Sequence, residues 1–96
     1  MTILEFKATV NDLNEPPFDN SLLQALWYDV KGDWQMAHAI AQDINTEDGS
    51  WIHAYLHRKE GDEGNASYWY RRAHRILPNV TLDEECDNLL AELLTR

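Results

Sequence analysis

An all-α domain is what this sequence predicts, on three observations. Apolar residues recur at helical spacing in five segments between Ser21 and Thr95. The breaks between those segments carry helix stop and start residues, Gly32-Asp33, Gly61-Asp62 and Pro78 followed by Thr81. Only one stretch, Thr2 to Val10, alternates loosely in the manner of a strand, and it has no second strand to pair with. The chain of 96 residues is long enough for one modest core and reads as a single domain, 1–96.

Taken in order, residues 1–18 read as a short extended arm followed by a loop, the arm lying on the helices or on a partner. Phe18 leads into a cap at Asp19 or Asn20, and a helix follows from Ser21 to Lys31 with Leu22, Leu23, Ala25, Leu26, Trp27 and Val30 as its apolar surface. Gly32 suits a left-handed C-cap and Asp33 an N-cap. The next helix, to Ile44, buries Ala37, Ile40, Ala41 and Ile44, which completes a first antiparallel hairpin over 21–44. Ser50 is the expected cap of a second hairpin, 50–78, made of a helix from Trp51 to Glu60, the Gly61-Asp62 turn, and a helix running to Leu77 before Pro78. Thr81-Leu82-Asp83-Glu84 has the capping-box pattern and opens a C-terminal capping helix over 81–95, whose stripe is Leu82, Cys86, Leu89, Leu90, Leu93 and Leu94.

Charge narrows the function classes. Seventeen acids against eight Lys and Arg give a formal charge of -9, which repels phosphate backbones and argues against a nucleic-acid partner. No apolar run approaches the roughly 20 residues of a spanning helix, and the first ten residues lack a signal-peptide pattern, so no membrane partner and a cytoplasmic location are expected. Cys86 is the only cysteine, excluding an intrachain disulfide, and the acids at 83, 84, 85 and 87 oppose its ionisation.

A shift of 29 lays Ser21 on Ser50, Ala25 on Ala54, Gly32 on Gly61, Asp33 on Asp62 and Ala37 on Ala66. Each unit is therefore helix, Gly-Asp turn, helix, and so short a turn makes antiparallel neighbours. Ala54, Gly61, Ala66, Tyr70, Ala73 and Pro78 fall at the spacings of a tetratricopeptide repeat, and Ala66 to Ala73, with its Trp-Tyr pair, is similar to the second helix of Sel-like repeats. The chain thus resembles a tetratricopeptide-like (Sel-like) helical-repeat protein over 21–78, and the stretch Trp51 to Asp62 followed by the Trp-Tyr helix resembles small uncharacterised bacterial proteins of this type. The first unit keeps Ala25, Tyr28, Gly32 and Ala37 but has Ala41 and Gly49 where the pattern has an aromatic and a proline. The resemblance implies a groove between helices that receives a protein partner.

Two constellations could carry chemistry. His53 and His57 stand one helical turn apart with Glu60 beyond them, a set of donors suited to Zn, with His74 on the neighbouring helix as a further ligand. The competing reading buries these imidazoles among Trp and Tyr rings. Tyr68, Arg71, Arg72 and Arg75, with Tyr55 as an aromatic anchor, form a surface for an anion or an acidic peptide, against the alternative of a solvated face paired to the surplus acids. No phosphate loop or nucleophile elbow is present, so enzymatic activity is not expected. Two repeat units are fewer than usually suffice to bury their own faces, which leads to an expected homodimer. The leading expectation is a protein-protein interaction module, and the alternative is a small metal- or ligand-binding protein centred on His53, His57 and Glu60.

Overall fold

The computed structural model describes all 96 residues as six helices with no strand. They are α1 (Ile3–Asp12), α2 (Ser21–Lys31), α3 (Trp34–Gln42), α4 (Glu47–Glu60), α5 (Glu63–Arg72) and α6 (Leu82–Leu94). No helix is long and apolar enough to cross a membrane.

The expected N-terminal arm is a helix. Thr2 and Glu5 form a capping box, the Glu5 amide donating to Thr2 Oγ1 at 3.0 Å and the Thr2 amide to Glu5 Oε1 at 2.8 Å. Phe6 and Val10, one turn apart, are its buried residues, whereas Leu4 and Ala8, which produce the strand-like alternation, face solvent. The core contacts of α1 lie on α2 and α6. Lys31 Nζ donates to the carbonyls of Val10 and Leu13, placing a cation at the negative end of α1.

The two Gly-Asp turns are copies of one another. Gly32 and Gly61 adopt φ of 97° and 90°, a left-handed conformation that glycine reaches without a Cβ penalty. In each turn the following Asp amide donates back to a carbonyl five residues earlier, Asp33 to Tyr28 at 2.8 Å and Asp62 to His57 at 2.9 Å, which closes a Schellman turn. The same Asp side chains then cap α3 and α5. As a result α2 packs on α3 and α4 packs on α5, and the small residues Ala25, Ala37, Ala54 and Ala66, all fully buried, allow the close approach.

Two boundaries and the reach of the last helix differ from the sequence reading. Thr46, not Ser50, caps α4, and its hydroxyl accepts from the Gly49 amide at 3.1 Å, while Ser50 is buried inside the helix. Gly49 is required there because a Cβ on it would sit 2.2 Å from the Ile44 carbonyl oxygen. Helix α5 stops at Arg72, well before Pro78, because His74 turns left-handed (φ 56°) and the Arg75 amide closes back on the Tyr70 carbonyl at 2.9 Å. His74 thus does the work that glycine does in the other two turns. Finally, α6 packs against α1, α2 and α4 and meets α5 through side chains, Tyr70 donating to Glu85. It closes the core from the α1 side, so it covers more than one end of a stack.

Helix α4 is the centre of the molecule: every residue from Gly49 to His57 is buried, and α2, α3, α5 and α6 all contact it.

Two substitutions test these local arguments. Gly49→Ala should lower stability by about 2 kcal/mol despite alanine's better helix propensity, because Ile44 backbone must move; an unchanged urea midpoint would contradict the close approach. His74→Gly should raise stability by about 0.5 to 1 kcal/mol by relieving the left-handed turn, and a loss of stability would show that the imidazole matters more than its backbone.

Candidate metal centre

The Asp33 cap fixes the start of α3, and one turn on from Trp34 the helix places His38. The two rings stack, with centroids 4.8 Å apart and planes 10° from parallel. Across the interface, α4 presents His53 and His57, also one turn apart and stacked at 4.8 Å. Trp69 of α5 lies on the far face of His53 at 4.0 Å. Three imidazoles are thus gathered from two helices, with an indole on either flank.

Their ligating nitrogens all lie within 4.8 Å of one another. His38 Nε2 and His53 Nε2 are 3.0 Å apart, a distance at which one neutral ring donates to the other. Tetrahedral coordination at about 2.0 to 2.1 Å separates ligand nitrogens by roughly 3.3 Å, so small ring movements convert this pair to a chelating one. His57 Nδ1 is held by Glu60 Oε2 at 2.6 Å, an arrangement that orients the ring and leaves Nε2 with no protein partner. A carboxylate on the outer nitrogen of a ligating imidazole also raises its basicity.

The electrostatics favour the neutral forms of His53 and His38. Burial is the main cause that pushes His53 down to about 4, with repulsion from His38 and His57 adding to it. His38 is lowered for the same reasons, burial first and then His57, partly offset by Glu60. Near pH 7 His53 therefore offers its lone pair without first losing a proton. His53 and His57 are buried and His38 is half-buried, so access to the group is from the α3 side. The rings fill their own space: the three cavities of the protein all lie elsewhere, which suits an ion rather than an organic molecule here.

The residues expected from the sequence are distributed unevenly around this centre. His53 and His57 are in it, and Glu60 reaches it through His57. His74 is not: it stands exposed at the end of α5, paired with Glu47 at 2.7 Å. The residue missed was His38, whose available signal was the Trp34–His38 pair at the same one-turn spacing as His53–His57. Tyr55 cannot anchor a partner, since it is 2% exposed and donates its hydroxyl to Asp29 at 2.8 Å. Burial, followed by the neighbouring Cys86 and Asp29, pushes its phenol far up. Cys86 is buried too, its thiol raised to about 11 chiefly by desolvation and then by Asp29, which leaves it unreactive.

No family model, no curated protein and no solved structure matches this chain.

The depressed His53 value has a defined consequence for the metal-free protein. Between pH of about 6.5 and about 4 the unfolded chain binds a proton at this position that the folded chain refuses, so stability falls as pH drops through that window and levels off below it. His38 acts in the same direction. Urea midpoints measured in chelator should therefore decline across this range, and His53→Gln should flatten the decline; a profile unaltered by the substitution would refute the assignment.

Proposed function

We propose that the chain is a small metal-binding protein that holds a divalent transition metal on His38, His53 and His57. The observation that carries this reading is the meeting of three imidazole nitrogens within 4.8 Å, drawn from two helices. Three imidazoles without a thiolate suit Zn(II), Co(II), Ni(II) or Cu(II) and leave a fourth position for water or an incoming ligand. Glu60 acts on the metal through His57, fixing which nitrogen faces inward. The twin hairpins with one turn geometry support a tetratricopeptide-like plan on which the site is mounted, the shared wall of α3 and α4 being where consecutive hairpins touch. A metal there would tie the two hairpins together and stabilise the fold in proportion to its saturation.

Zinc titration against a chromophoric chelator should give one equivalent per chain, and Co(II) should report tetrahedral coordination in its visible absorption. His38→Ala and His57→Ala should each weaken binding by about 100-fold or more, and Glu60→Gln by about 10- to 100-fold, with helicity retained. Folded protein that takes up no zinc at about 100 μM, or holds it equally well without His38, would exclude the reading.

A further inference from the structure

A second surface lies on the other side of α5. Of the eight Lys and Arg residues, Lys7, Arg58, Lys59 and Arg96 meet carboxylates, of Asp87, Glu85, Asp29 and the Asp48/Glu92 pair respectively, and Lys31 caps α1 through backbone carbonyls. The three that meet neither a carboxylate nor a helix end, in a chain with a surplus of nine acids, are Arg71, Arg72 and Arg75. They stand together on the last turn of α5 and the segment after it. Arg72 reaches only the Tyr68 hydroxyl and the faces of Tyr68 and Trp69. The Arg75 guanidinium lies 3.4 Å over the Trp51 ring, which holds the charge in place without neutralising it.

Large apolar groups accompany these charges. Ile76 is 90% exposed and Leu77 54% exposed, on a stretch that is neither helix nor strand, and Tyr68, on α5 beside Arg72, is 43% exposed. Two adjoining depressions, of about 450 and about 300 Å³, share Tyr70, Arg75 and Ile76 in their walls. Arg71 and Arg75 border these hollows together with Ile76 and Leu77, and Arg72 follows Arg71 in the chain, so unpaired guanidinium groups and exposed aliphatic groups share one end of the hairpin.

We propose that this face docks an acidic segment of a partner protein, in which carboxylates flank a large aliphatic side chain. The carboxylates would pair with Arg71, Arg72 and Arg75, and the aliphatic group would lie against Ile76 and Leu77. Fork geometry at arginine matches carboxylates two donors at a time. Nucleic acid fits less well: three arginines neutralise few phosphates, and the chain as a whole, with its formal charge of -9, repels a long polyanion more than a short segment with a few carboxylates.

The test is fluorescence anisotropy with a labelled synthetic peptide of about twelve residues that alternates Asp, Glu and Leu. It is compared with a version carrying Ser for Leu, a version carrying Lys for the acids, and a single-stranded DNA of similar length. The acidic Leu peptide should bind at least about tenfold more tightly than any of the others. Arg71→Glu, which breaks no contact within the chain, should weaken it at least about tenfold, and Arg75→Glu should do the same with unchanged helicity. His38→Ala should leave it unaltered, so this docking can fail or succeed independently of metal binding. No binding at about 1 mM peptide, DNA binding as tight as peptide binding, or a doubled mass in light scattering that Arg75→Glu abolishes would each overturn the proposal, the last by placing a second copy of the chain on this face.

Discussion

Nine consecutive residues of α4 are buried, yet they include Ser50, Trp51, His53, Tyr55 and His57, side chains with polar atoms that lose their water on folding. Leaving such atoms unpaired would cost about 1 to 3 kcal/mol each, so the neighbours of α4 are chosen by the hydrogen bonds they can supply as well as by their shape. Two buried carboxylates meet that demand at Trp51 and Tyr55. Asp29 of α2 receives Tyr55 and Lys59, and Glu85 of α6 receives Trp51, Arg58 and Tyr70. No side-chain nitrogen or oxygen that is fully shut off from solvent is left without a partner. Each carboxylate is in turn paired with a cation, and the positions of α2 and α6 about α4 are set by polar contacts as much as by the apolar core.

The histidine centre belongs to the same scheme, on the third side of α4. Here the partner helix is α3, and it supplies an imidazole and an indole in place of a carboxylate: His38 meets His53, and Trp34 Nε1 donates to the Leu56 carbonyl at 2.8 Å. The difference is chemical. A buried carboxylate beside these rings would favour their protonated forms, whereas a third imidazole disfavours them. Only the side of α4 that faces α3 combines neutral nitrogen donors with a route to solvent, and Glu60 stands at its edge, where it can be hydrated and still hold His57.

The distribution of cations follows from this. The basic residues closest to α4 and α6 are consumed by the buried acids or by the helix ends, and those on the outer turn of α5 are not. The left-handed His74 contributes by ending α5 early, which frees the stretch from Arg75 to Val80 from helical geometry and lets Arg75 fold onto Trp51 while Ile76 points away from the core. The two candidate surfaces are therefore built on different parts of the second hairpin, one on its contact with the first and the other on its free end, with Arg72 and Trp69 between them.

Local chemistry was enough for much of this molecule. The all-α class, the two hairpins, the Gly-Asp turns and the C-terminal helix follow from spacing and capping, because those signals act within about one turn of the chain. The same logic contained α1 in the pattern Thr-Ile-Leu-Glu, where a loose alternation obscured a capping box. The early end of α5 could not be read so, since no proline or glycine marks it and the residue that turns left-handed there is a histidine. His53 and His57 were visible as a pair on one helix, but His38 joins them across a helix interface, and Asp29 and Glu85 looked like ordinary surface acids until α4 was placed between them. Residue types and their spacing along one helix are properties of the sequence. Which of those residues lose their water, and which partners from other helices then become obligatory, is decided only when the helices close around α4.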